Sequence, residues 1–161
     1  MSEHPIADEI INQINSINGW FEAFGHDHVR TSEEAAALRN GYTIAQGAKA
    51  LIVRAKVRNQ GKQFLMLVLP GDTKFDSNKA KQVLDAKDIR FATEAEVAEI
   101  TEGVKPGGVP PFGNLFNLHV IVDPKLFAQD KIIFNAGRNY SIGMFAADYK
   151  KLVKPLVADI T

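Results

Sequence analysis

The sequence predicts a mixed α/β fold, a barrel-like mixed β-sheet flanked by helices. Three observations carry this. Helical and strand-like periodicities are interleaved without a strict βαβ rhythm. Two β-rich runs, "AKALIVRAKV" (48–57) and "KQFLMLVLP" (62–70), flank "RNQG", a hairpin signature that predicts an antiparallel pair. The chain has 161 residues, 45% of them hydrophobic and 24% charged. That suits one domain over 1–161 with its own core, beginning with a helix inside residues 1–19.

Each element has a local reason. Ile6, Ile10, Ile14 and Ile17 recur at helical spacing, Pro5 suits a first helical position, and Asn18-Gly19 stops the helix. "WFEAFGHD" (20–27) reads as a short aromatic strand. "VRTSEEAAALRNG" (29–41) reads as a second helix, with Thr31 and Glu34 in capping-box spacing and Gly41 past its end. After the hairpin, "DSNKAKQVLDA" (76–86) is a helix capped by Asp76, and "IRFA" (89–92) is a strand. "TEAEVAEITEG" (93–103) is a helix boxed by Thr93 and Glu96. "LHVIVD" (118–123) and "KIIFNAG" (131–137) are buried-looking strands, linked by a short segment that starts at Pro124. "YSIGMF" (140–145) is a strand, "AADYKKLVK" (146–154) a helix and "LVADI" (156–160) a last strand.

Composition narrows the chemistry. There are no cysteines, so no thiolate nucleophile, disulfide or cysteine metal site exists. Lys plus Arg and Asp plus Glu both number 19, so any contact with nucleic acid is expected to be small and local. No apolar run approaches the roughly 20 residues of a membrane span. The opening "MSEHPIADEI" has no basic region of a secretory signal, which makes the cytosol the simplest compartment. The GxSxG elbow, the P-loop and the GxGxxG fingerprint are absent.

Four stretches could do chemistry. "VKPGGVPPFGN" (104–114) holds three glycines and three prolines. Its backbone N–H groups could converge on an anion or an oxyanion, with the prolines freezing the arrangement, or it could be an Ω-loop scaffold. Lys49 opens an apolar strand and could reach a ligand phosphate or sit as a solvated strand-end charge. His26 and His28 alternate around Asp27 in "GHDH". They could be metal ligands, an acid/base pair or a solvated edge. His4 and His119 are isolated. "FNAGR" (134–138) brings glycine backbone at Gly137 close to the core or to a ligand, and Arg138 could pair with phosphate. The alternative there is a plain strand-to-turn junction.

In their order and spacing, "VRTSEEAAALRNG", "QGAKALIV", "LVLPGD", "KPGGVPPFG", "IIFNAGR" and "SIGM" resemble the YbaK/aminoacyl-tRNA-synthetase-associated domain family. That family includes the editing insertion of bacterial prolyl-tRNA synthetase and its free-standing relatives. The resemblance covers roughly residues 20–160. It implies a barrel-like mixed sheet with flanking helices and an activity, the deacylation of mischarged aminoacyl-tRNA. It places the family's acceptor-end lysine at Lys49 and its GxxxP loop at Gly107–Pro111, with Gly108, Val109 and Pro110 between. The expected catalytic set is Lys49, Gly107, Gly108 and Val109. Pro110, Pro111, Gly137, Arg138 and His28 are expected to bind substrate. In the implied reaction water attacks the ester, backbone N–H groups of Gly107 to Val109 stabilise the oxyanion, and the substrate's free ribose hydroxyl is the candidate base. No metal or organic cofactor is expected. The implied partner is the 3′ acceptor end of mischarged tRNA, with an aminoacyl-tRNA synthetase as a second candidate and no membrane. A tRNA- or synthetase-binding module that hydrolyses nothing is the alternative. Two departures stand out: "FAADYKKL" replaces the Ser-Pro-Glu-Asp helix start of many relatives, and Gly143 stands where relatives often have arginine.

Overall fold

A computed structural model of the chain describes residues 4–25, 41–105 and 107–161. The helix expected over 29–41, with its Thr31–Glu34 box, lies outside those residues, as do "HDH" (26–28) and Pro106. The isoleucine spacing near the start forms helix α1 (Pro5–Ser16), with Pro5 in its first turn and Ala7, Ile10 and Ile14 fully buried. Among the described residues, eight strands follow the β-rich runs: β1 (Phe21–Gly25), β2 (Ala48–Val57), β3 (Gly61–Pro70), β4 (Ala86–Phe91), β5 (Val120–Val122), β6 (Lys131–Asn135), β7 (Tyr140–Phe145) and β8 (Leu156–Val157). Three further helices intervene: α2 (Ser77–Leu84), α3 (Glu94–Thr101) and α4 (Ala146–Val153). Among the described residues, no helix is long and apolar enough to cross a membrane.

The caps behave as their chemistry dictates. The Asp76 carboxylate accepts from the N–H groups of Asn78 and Lys79 at the start of α2. Thr93 and Glu96 form the reciprocal box at the start of α3. Glu96 also takes a two-pronged contact from Arg90, at 2.8 and 3.0 Å, and these bonds lower its pKa to about 2. Helix α4 has no side-chain cap at Phe145, in keeping with the altered residues at its start.

β2 and β3 form the expected antiparallel hairpin, in register from Ala48–Pro70 to Val57–Gly61. The mixed sheet comes in two pieces, ordered β1-β7-β6 and β4-β2-β3-β5-β8. Within them β3–β5 and β5–β8 pair in parallel, and the other described strand pairs are antiparallel. The pieces meet at one parallel bridge between Gly47 and Ile133, while the Gly47 carbonyl also accepts from the Gly71 N–H at 2.8 Å. The last strand is shorter than "LVADI" suggests, because Asp159 turns to pair with Lys79 at 3.0 Å.

Alternation along the strands sorts the core. Ala48 and Ile52 of β2, Met66 and Val68 of β3, Ile132 and Phe134 of β6, and Ile142 and Met144 of β7 join α1 in the larger cluster. Val53, Ala55, Leu65 and Leu67 face the other way, into a smaller cluster closed by Ala80 of α2 and by Ile160. The larger core lies on one side of β6 and β7. Their remaining side chains, Asn135 and Ser141 among them, occupy the opposite side, where the candidate residues gather.

Candidate active site

The glycine- and proline-rich loop is fastened at both ends. Gly107 sits at φ +83°, a left-handed conformation that disfavours a side chain. Its carbonyl accepts from the Asn135 side-chain amide at 2.7 Å. The Gly108 carbonyl accepts from the Gly137 N–H at 2.9 Å, and Gly137 is itself at φ +99°. A Cβ on Gly108 would lie 2.7 Å from the Arg138 nitrogen and 2.9 Å from the Gly137 carbonyl carbon, so only glycine fits there. At the other end Pro110 and Pro111 are buried. The Pro111 carbonyl accepts from the Tyr149 hydroxyl at 2.6 Å. Phe112, fully buried, sets its ring 5.4 Å from those of Phe134 and Tyr149. Burial pushes the Tyr149 hydroxyl pKa up, so it stays a donor. Tyr149→Phe is expected to cost about 1–3 kcal/mol, since a buried carbonyl is left unsatisfied. Denaturant unfolding would show it as a lower midpoint with an unchanged slope.

The three-donor expectation for this loop needs one correction. The Gly108 N–H already donates to the Lys105 carbonyl at 3.0 Å, closing a turn, and is not free to meet an oxyanion. The N–H groups of Gly107 and Val109 have no acceptor among the described residues. Gly108 is thus constrained by its missing side chain, while Gly107 and Val109 hold the N–H groups without an acceptor among the described residues.

Lys49 reaches this neighbourhood through the bridge between the sheets. Its neighbours Ala48 and Ala50 pack toward the larger core, so Lys49 faces the other way, opposite Leu69 on β3. The parallel bridge sets Gly47 and Ile133 on one side of the backbone, and two residues along each strand Lys49 and Asn135 project to that same side. Lys49 is half-buried, and its ammonium has no acceptor among the described residues. Arg138 is exposed, beside Gly108 at the tip of the β6–β7 turn. The loop, Gly137 and Arg138 are thus in direct contact, and Lys49 approaches from the adjoining strand. His28 and His26 lie outside the described residues. His4 stacks on Tyr140, with centroids 4.3 Å apart, and His119 is exposed.

Four more residues complete this face; Asn135 and Ser141 fall within the "FNAGR" and "SIGM" stretches, while Tyr42 and Glu22 carry no local sequence signature of a site. Asn135 ties the loop to β6. Ser141, fully buried, donates to the Asn135 side-chain carbonyl at 3.3 Å. Tyr42 donates to Glu22 Oε1 at 2.6 Å, and its hydroxyl occupies the space over Gly143, where any Cβ would collide with it. This explains the departure at Gly143: the room a side chain needs is filled from another part of the chain. Only that departure hinted at the Tyr42–Glu22 pair.

The model of the aminoacyl-tRNA editing domain matches residues 26–152, most of the chain and all of the loop and lysine just described. The chain belongs to the aminoacyl-tRNA editing domain family. This editing domain is 33% identical over 137 residues to the multifunctional Ser/Thr-tRNA deacylase ProXp-y of Escherichia coli K12, covering 84% of this chain and 80% of that protein. It is 29% identical over 111 residues to the proline–tRNA ligase of Ralstonia pickettii, covering 69% of this chain and 19% of the ligase. Among solved structures, one proposed as a trans-editing enzyme for prolyl-tRNA synthetase superposes with a TM-score of 0.81 at 24% identity, covering 99% of each chain. That last likeness speaks for the fold.

Proposed function

We propose that this editing domain acts in trans as an aminoacyl-tRNA deacylase, hydrolysing the ester of mischarged tRNA at its 3′ acceptor end. The observation that carries the reading is the fastened loop. It holds Gly107 and Val109, whose N–H groups have no acceptor among the described residues, next to Asn135, which lies on the side of the sheet to which Lys49 projects.

In this reading Lys49 anchors a phosphate or ribose oxygen of the terminal nucleotide, as a compact positive charge suits. The ester carbonyl lies against the loop. Water attacks the carbonyl carbon, and as its proton passes to the neighbouring free ribose hydroxyl, that hydroxyl passes its own on toward the ester's ribose oxygen. The negative charge that develops on the carbonyl oxygen is held by the Gly107 and Val109 N–H groups. Because the loop is already rigid, little reorganisation is needed as the charge forms. Collapse of the tetrahedral species breaks the bond to the ribose oxygen, which takes up a proton. Free amino acid and uncharged tRNA leave.

The test is a panel of tRNAs charged with different amino acids, each on more than one tRNA. Seryl and threonyl esters come first, because the Escherichia coli relative is named for them. The expected result is release of at least one amino acid well above the spontaneous rate. Binding of tRNA with no turnover across the panel would replace this reading with that of a binding module.

A further inference from the structure

The pair over Gly143 has no part in the hydrolysis just described. In the β1–β7 ladder Gly143 lies directly opposite Glu22. Its missing side chain admits the Tyr42 hydroxyl, which donates to Glu22 Oε1. The Tyr42 ring is held edge-on to Phe24, at 6.3 Å and 65°. Burial first, and the Glu22 carboxylate second, push the Tyr42 pKa up, so the phenol remains a neutral donor. The carboxylate is therefore fixed in place and only half-buried. Among the described residues Glu22 makes no ion pair. A partly desolvated carboxylate that, among the described residues, is held by a phenol gains from a cation.

Position says which cation. Glu22, Gly143, Ser141 and Asn135 lie on one side of the β1-β7-β6 sheet, with Lys49 on the strand bridged to β6. At about 4.8 Å per strand and about 3.3 Å per residue, Lys49 lies roughly three strand spacings across and two residues along from Glu22, with the loop contact at Asn135 on a strand between them. Among the described residues, an ammonium without an acceptor at one end and a carboxylate without an ion pair at the other complement a ligand that is anionic at its phosphate and cationic at its amine. We propose that Glu22, steadied by Tyr42, receives the α-ammonium of the aminoacyl group and so makes the site selective for free aminoacyl esters over N-acylated ones. This rests on the deacylase reading and names a specificity-determining residue within it.

The experiment compares the fastest-hydrolysed aminoacyl-tRNA with its N-acetylated form, using wild type, Glu22→Gln and Tyr42→Phe. In wild type, acetylation is expected to lower kcat/KM about ten- to a hundredfold, the worth of a charge-assisted hydrogen bond. In Glu22→Gln that ratio should collapse toward one, because the free-amine substrate slows. Tyr42→Phe keeps the ring packed on Phe24 and should narrow the ratio without abolishing it. If Glu22→Gln does not fold, Tyr42→Phe carries the comparison. Equal wild-type rates on both forms would overturn the proposal and leave the deacylase reading intact. So would equal slowing of both forms by Glu22→Gln, which marks a structural role. A loss confined to amino acids with a side-chain hydroxyl or amine would overturn the α-ammonium assignment. Failure of wild type to hydrolyse any aminoacyl-tRNA would remove the functional reading itself.

Discussion

Gly108→Ala is expected to lower kcat for deacylation by a hundredfold or more while leaving the domain folded. The new methyl group would meet the Arg138 nitrogen at 2.7 Å and the Gly137 carbonyl carbon at 2.9 Å. Both are backbone atoms that cannot swing away, so the loop must lift. Lifting it stretches the Gly137-to-Gly108 and Asn135-to-Gly107 hydrogen bonds and moves the Gly107 and Val109 N–H groups off the oxyanion. Loss of one such donor costs about a hundred- to a thousandfold in kcat. The Lys49 anchor is untouched, so KM should change far less. Single-turnover kinetics at saturating tRNA, with a thermal melt of the same sample, decide it. A folded variant with wild-type kcat would show that the loop does not hold the reacting carbonyl.

Lys49→Ala is expected to keep the fold and lose about ten- to a hundredfold in kcat/KM, the worth of a charged hydrogen bond of about 1.5–3 kcal/mol. Its ammonium has no acceptor among the described residues, so shortening it should cost little stability. The loss should appear chiefly at limiting tRNA, since the lysine acts on binding. Matched circular dichroism and melting curves establish the fold first. If the folded variant then matches wild type at limiting tRNA, Lys49 does not anchor the acceptor end.

Local chemistry made much of this molecule readable. The isoleucines of α1, the Asp76 cap, the Thr93–Glu96 box and the "RNQG" hairpin each depend on residues within a few positions of one another, and all stand in the structure. The loop at 107–111 and the glycine at 137 were legible as unusual backbone for the same reason. What was not legible depends on distant pairing. No spacing rule joins Tyr42 to Glu22, Ser141 to Asn135, or Gly47 to Ile133, because tertiary packing alone makes them neighbours. The Gly108 N–H is a different case: its acceptor, Lys105, is only three residues away, yet whether a glycine turn closes on itself or opens to a ligand is a matter of a few backbone angles. Composition does not specify those angles.

The pairing of β1 with β7 joins nearly opposite ends of the chain. Chains are made from the amino terminus at a pace far slower than local folding, and contacts this distant in sequence form late. β1 therefore has no β7 partner until synthesis has passed Phe145. Glu22, Asn135, Ser141 and the loop they surround come together only at that point. Until both strands exist, the face that carries Glu22 and the loop is not assembled.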